Sequence, residues 1–143
     1  MTVNSDNARG QEQRKELENI KKKGFCPFCD RTYIEKEHKK PILIETDHWL
    51  VTENRWPYAH ARIHLLLIHK DHIITLADMS LGAWNDLHGL LSKIPTVVDL
   101  PGGAFMMRFG DTRYTGGTVD HLHAQIISGS PAQDSPPVMA RVG

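Results

Sequence analysis

GGTVDHLHAQII, close to the end of the chain, sets His121, His123 and Gln125 at alternate positions, with Leu122, Ala124 and Ile126 between them. In a strand, residues two apart share a face, so the three polar groups point one way and the three apolar groups point into a core. A neutral imidazole offers one basic nitrogen and one N–H. The turn ahead of it contributes Gly116 and Gly117, which let the main chain approach a ligand closely, and the hydroxyl of Thr118. Together these groups can present a nucleophile, donors and an orienting partner around an anionic phosphorus centre. The plain alternative is a solvated strand face that carries two histidines.

A second cluster is CPFC, with Cys26 and Cys29 three positions apart. That spacing lets both thiolates reach one metal ion, and it also suits a redox dithiol or two uncoordinated cysteines. A thioredoxin-like site would place the pair after a strand and at the start of a long helix. The lysine-rich helical segment ahead of these cysteines argues against that. Of the other histidines, His64 alternates with Leu66 and Ile68 and reads as a hydrogen-bonded core or edge residue. His38, beside Lys39 and Lys40, reads as surface, and His88, beside Leu87, as partly buried on a helix.

The elements that must position these groups follow from periodicity and breakers. Residues 1–10 are polar and rich in Asn, Asp, Ser and Gly, the composition of a disordered end, and residues 11–130 form the domain. QEQRKELENIKKK predicts a helix stopped by Gly24. ILIET, WLVTEN and ARIHLLLIH predict strands, with a turn at RWPYAHA, and sequential strands of this kind usually pair antiparallel. DMSLGAWNDLHGLLSKIP predicts a helix with Trp84, Leu87, Leu91 and Ile94 on its apolar face, Ser80 or Asp78 as cap and Pro95 just past its end. AFMMRF and TVDHLHAQIIS predict two further strands around a loop, GDTRYTGG. Residues 131–143 are too proline-rich for a packed element. Strands with two helices and no strand–helix alternation define an α+β domain.

With 17 Lys plus Arg against 17 Asp plus Glu, the 143-residue chain has a formal charge of zero. Outside a short lysine-rich patch at residues 21–23 nothing provides the basic stripe of a nucleic-acid binder, which makes nucleic acid an unexpected partner. The sequence has no long apolar run and its N-terminus carries neither a signal-peptide core nor a lipidation motif, so a soluble, cytoplasmic protein is expected.

GGTVDHLHAQII resembles the signature of the histidine triad superfamily of nucleotide hydrolases and transferases, His-x-His-x-His followed by apolar residues. It is closest to the branch with glutamine in third place, as in galactose-1-phosphate uridylyltransferase and certain dinucleoside polyphosphate phosphorylases. The resemblance extends, more weakly, from about Cys26 to Ser130 and includes HLLLIHKDHIITLADMS. It implies a five-stranded antiparallel sheet with helices packed on one face, and a homodimer. It further implies that His123 attacks the α-phosphorus of a nucleotide and becomes transiently nucleotidylated. Gln125, Thr118 and main-chain N–H groups near Gly117 would then donate to the nonbridging oxygens, with His121 opening the row. Gln125 cannot shuttle a proton, which favours leaving groups that are already stable anions.

The same resemblance implies a closed, structural zinc site of Cys26, Cys29, His72 and His121. It also places nucleoside contacts in ENRWPYAH, with Asn54 as a hydrogen-bonding group and Trp56 and Tyr58 as walls. Where the family often has Asn before its glycine loop this chain has Arg108, in a loop of different length; Arg108 and Arg113 are candidate phosphate binders. Two functions follow: hydrolysis or transfer of a nucleotidyl group from a dinucleoside polyphosphate or nucleotide sugar, or a zinc-stabilised nucleotide-binding module without turnover. Water and phosphate both remain open as acceptor.

Overall fold

Alternating apolar residues build the expected five-stranded antiparallel sheet in the computed structural model, which describes residues 2–143. Strands β1 (Ile42–Glu45), β2 (Trp49–Glu53) and β3 (Ile63–His69) form a meander. Strand β4 (Ala104–Arg108) lies at the far edge, and β5 (His123–Ser128) is inserted between β3 and β4, giving the order β1-β2-β3-β5-β4. The last strand in the chain is therefore flanked on both sides, and each of its residues faces a partner of fixed register.

One face of the sheet takes the long helix. Trp49, Val51, Leu65, Leu67, Ala124 and Ile126 pack with Ala83, Leu87, Leu90 and Ile94 of the helix Leu81–Val97. Steps of four, three and four residues put those side chains on one stripe, and the Ser80 side chain caps the start by accepting the Ala83 N–H at 3.1 Å. This stripe is not the one centred on Trp84. The indole N–H of fully buried Trp49 donates to the Ala83 carbonyl at 2.9 Å, which turns Ala83 toward the sheet and leaves Trp84 42% exposed. Trp49 thus belongs to the core and offers nothing to a second subunit. His88 is exposed. The helix also runs past Pro95 to Val97, its end held by the Val98 N–H on the Ile94 carbonyl.

The opposite face carries the polar row and is overlaid by N-terminal segments. Helix α1 (Gln11–Lys23) ends at Gly24 in the left-handed region, φ 74°, as its sequence predicts. The short α2 (Arg31–Lys36) was not expected; Asp30 caps it by accepting the Tyr33 N–H at 2.9 Å. With the long helix counted as α3, the segment predicted as a loop at GDTRYTGG contains α4 (Thr112–Thr115). The strand expected over TVDHLHAQIIS begins only at His123, so His121 lies in the irregular stretch just before it.

The expectation of a disordered segment 1–10 fails for its described residues. Val3 is fully buried and bridges Val119, while the Asn4 N–H donates to the Thr118 carbonyl at 2.8 Å. The Asn7 amide donates to the carbonyls of Thr112 (2.9 Å) and Gly117 (2.7 Å). Polar composition suggested solvation, but here the polar side chains satisfy main-chain oxygens of a buried irregular loop that no ladder could pair. Residues 131–143 form no helix or strand, and their end returns to the site face. Among the described residues no helix is long and apolar enough to cross a membrane.

Candidate functional site

Register places the site. His123 lies opposite Ile68 on one side and Arg108 on the other, and Gln125 lies opposite Leu66 and Met106. Directly opposed residues share a face, so His123, Gln125 and Arg108 project together beneath α1. There they line a pocket of about 630 Å³, measured to its open mouth, with Thr118, Asn54, Trp56 and Phe28. The row is not a solvated face: Gln125 is 3% and His123 8% exposed.

Hydrogen bonds fix the tautomer of each imidazole. His123 Nδ1 lies 2.7 Å from the main-chain oxygen of His121, which can only accept, so Nδ1 carries the proton and Nε2 holds a lone pair. Among the described residues Nε2 has no hydrogen-bond partner. The Phe28 ring meets the imidazole edge-on at 5.0 Å between centroids. Burial holds the His123 pKa down to about 4, against the raising effect of the carbonyl bond, and the positive charge of Arg108 adds to the lowering. The ring is neutral at pH 7.

His64, read from sequence as an ordinary core histidine, is the part of the site that was missed. Its Nδ1 accepts the Tyr58 N–H at 3.0 Å, so Nε2 must be the protonated nitrogen, and it donates to Gln125 Oε1 at 2.6 Å. The Asn54 amide also lies 3.1 Å from Nε2; for Nε2 to accept as well would require an imidazolate. Gln125 therefore turns its carbonyl to His64 and has its NH2 left to donate elsewhere. Desolvation lowers the His64 pKa to about 4, keeping this arrangement neutral. Its sequence signal was the alternation with Leu66, the residue paired to Gln125.

The other expected site residues divide. Thr118 lines the pocket, and its hydroxyl has no partner among the described residues. Asn54 lines it too, but its Oδ1 already accepts the Trp56 N–H at 2.8 Å. Gly116 and Gly117 lie outside the main pocket. Gly116 ends α4 at φ 72°, and the Gly117 N–H is taken by the Thr115 hydroxyl at 3.1 Å, which removes it as a phosphate donor in this conformation. Arg113 is held by Asp111, with Nε at 2.9 and 3.0 Å from its two oxygens, and is exposed. Arg108 is the reverse: its buried Nε has no partner, a condition that costs about 1–3 kcal/mol unless a ligand relieves it. His38, expected at the surface, is buried beside the pocket, its Nε2 2.8 Å from the Glu53 carbonyl.

Next to the pocket lies a candidate metal centre. The ligand atoms of Cys26, Cys29, His72 and His121 all fall within 4.8 Å of one another. Cys29 Sγ is 3.2 Å from His72 Nδ1 and 3.4 Å from His121 Nδ1, Cys26 Sγ is 3.5 Å from His121 Nδ1, and the two Nδ1 atoms are 3.2 Å apart. Tetrahedral zinc with bonds of about 2.3 Å to sulfur and about 2.0–2.1 Å to nitrogen would set its ligands roughly 3.3–3.8 Å apart. The cluster fits a structural zinc site. Its tautomer fits as well: His121 Nε2 donates to the His69 carbonyl at 2.5 Å, leaving Nδ1 free to ligate. Desolvation, then the neighbouring Cys26, pushes the Cys29 thiol up to about 12, and a bound cation would act in the opposite direction.

No protein-family model matches this sequence, and no curated protein is significantly similar to it. Solved structures are similar in fold. A HIT family hydrolase from Clostridium thermocellum superposes with a TM-score of 0.59 at 23% identity, over 81% of this chain and 98% of that one. A histidine triad nucleotide-binding protein from Candida albicans gives 0.59 at 23% identity, over 83% and 85%. A zinc-bound histidine triad family protein from Mycobacterium smegmatis gives 0.51 at 17% identity, over 70% and 74%. The chain has the histidine-triad-like fold.

Proposed function

We propose that this chain is a zinc-stabilised nucleotide-binding domain, with the nucleotide's phosphate against Gln125, Thr118 and Arg108 and its nucleoside toward Asn54 and Trp56. The observation that carries the reading is the placement of the Cys2His2 cluster. His121 gives Nδ1 to the cluster while its main-chain oxygen, 2.7 Å from Nδ1 of His123, orients the pocket imidazole. Metal bound there would fix the end of β5 and tie it to the N-terminal wall of the pocket. The fold it shares with a protein described as nucleotide-binding supports the same reading.

Calorimetric titration of zinc-loaded protein with nucleoside monophosphates tests it. Binding is expected for the nucleotide and not for the free nucleoside. Gln125→Ala should weaken it about tenfold, the worth of one hydrogen bond to a charged group. Absence of binding across all four bases would overturn the reading.

One feature favours a second reading, turnover. His123 presents an unprotonated Nε2 to the pocket with Nδ1–H already bonded, the arrangement in which a nucleophile attacks phosphorus and its developing charge is shared with a carbonyl. The new bond is N–P; the P–O bond to the leaving group breaks and its electrons depart with that oxygen. The Gln125 NH2 and the Arg108 guanidinium would hold the nonbridging oxygens. Transfer to water would make the protein a hydrolase, and transfer to phosphate a phosphorylase of the glutamine branch. The zinc would supply structural support.

A further inference from the structure

Helix α1 lies ahead of Cys26, where the family resemblance begins, and that resemblance gives its residues no role. Yet α1 forms one wall of the pocket. The pocket runs across the strands, from Arg108 on β4 past His123 and Gln125 on β5 to Leu66 on β3. Two strand spacings make that roughly 10 Å, the reach of a nucleotide from its phosphate to its base. With the phosphate at Arg108 and Gln125, the base would meet the apolar side chains of Leu17, Phe28 and Leu66. The end of the pocket beyond them is polar, and Gln13, Glu16 and His38 line it.

Gln13 and Glu16 are three positions apart and so share a face of α1. Gln13 is 5% exposed. Its Oε1 accepts the Arg9 N–H at 2.9 Å, which fixes the orientation of the amide and leaves its NH2 without a partner among the described residues. Glu16 has the opposite need. Both its contacts fall on Oε1, from the Tyr33 hydroxyl at 3.0 Å and the Arg55 guanidinium at 3.7 Å, and among the described residues Oε2 has none. His38 adds a second acceptor. Its Nε2 gives a proton to the Glu53 carbonyl at 2.8 Å, so Nδ1 holds a lone pair, and burial lowers its pKa and keeps the ring neutral. Polar groups withdrawn from water cost free energy until they are paired.

One open donor and a carboxylate oxygen at the end of an apolar pocket form the complement of a base edge. Guanine presents an acceptor, O6, beside two donors, N1–H and the 2-amino group. Adenine presents one donor, its 6-amino group, beside an N1 lone pair that a carboxylate repels. The pyrimidines set their polar edge between carbonyl oxygens, which leaves a carboxylate one donor at most. We infer that Gln13 and Glu16 select guanine, the Gln13 NH2 donating to O6 and the Glu16 carboxylate accepting N1–H and the 2-amino group. The inference deepens the nucleotide reading and rests on it for the phosphate end.

Titration of the full zinc-loaded chain with the monophosphates of guanosine, inosine, adenosine and uridine tests it. The guanosine compound should bind at least about tenfold more tightly than the adenosine one, the worth of a hydrogen bond to a charged group, with inosine, which lacks the 2-amino group, between them. Glu16→Gln keeps an acceptor for the Tyr33 hydroxyl but turns half of the carboxylate into a donor; it should bring guanosine and adenosine monophosphates within about threefold of each other and leave adenosine affinity nearly unchanged. Gln13→Glu keeps the acceptor for the Arg9 N–H and sets an oxygen against O6, so it should weaken guanosine monophosphate at least about tenfold. Glu18→Gln, on the exposed side of α1, is the control for charge and should alter neither. Adenosine binding by each variant shows that its pocket has folded. Equal affinity for all four bases, or a guanine preference that survives Glu16→Gln, would overturn the base assignment and leave nucleotide binding standing. Absence of binding by every monophosphate would overturn both.

Discussion

Replacement of Cys26 by serine is expected to take zinc content from about one ion per chain to near zero and to lower the melting temperature by on the order of 10 °C. A serine hydroxyl stays protonated at neutral pH and cannot serve as the thiolate ligand. The remaining three groups then form an open site that holds zinc far less tightly. The stability loss follows from what the centre connects: the turn between α1 and α2, the loop after β3 through His72, and the start of β5 through His121. The loop after β3 and the start of β5 are already joined by main-chain bonds at Leu122, but the N-terminal segment otherwise packs through a small cluster of Val3, Leu17, Ile20 and Val119, separate from the core under α3. A strong chelator should lower the melting temperature of the parent protein by a similar amount and leave the variant almost unchanged. Zinc takes Cys29 as a thiolate, so binding expels a proton and zinc affinity should fall as pH decreases. Elemental analysis and calorimetry check each step, and unchanged zinc content in the variant would rule the centre out.

How much of this was legible in the sequence depended on whether a residue's role is local or supplied from afar. The strands, Gly24 as a helix stop and Ser80 as a cap follow from period and local chemistry, and all are present. The four cluster residues were assigned through a family resemblance, and the fold brings them together. What escaped was set by tertiary partners. Val3 and Asn7 looked like a polar tail because nothing local shows that the Gly117 loop needs donors. His64 was demoted for the same reason: its importance lies in two bonds, from the Tyr58 N–H and to Gln125, and only the β3–β5 register makes the second visible.

The His123→Ala protein should bind nucleotide within about tenfold of the parent and form no covalent adduct. If the parent turns over, the variant's rate should fall by at least about a thousandfold, the scale seen when a nucleophile is removed. Binding survives because the phosphate contacts assigned to Gln125, Thr118 and Arg108 come from other side chains. The adduct is lost because the neighbouring imidazole cannot take the place of His123: His64 Nδ1 is occupied by the Tyr58 N–H, and its Nε2 carries the proton given to Gln125. The pH dependence has a definite sign. Attack needs the neutral ring, and burial lowers the His123 pKa to about 4, so adduct formation should stay level from pH 8 to about 5 and decline only as the pH passes through about 4. An exposed histidine would lose its lone pair near pH 6.5. Acid-free mass spectrometry of the parent mixed with diadenosine tetraphosphate or a nucleotide sugar reads the adduct directly. A parent that binds these compounds yet shows neither adduct nor product, while His123→Ala binds equally well, would make this chain a binding module. His123 would then act only as a neutral wall that the zinc-linked His121 carbonyl keeps in place.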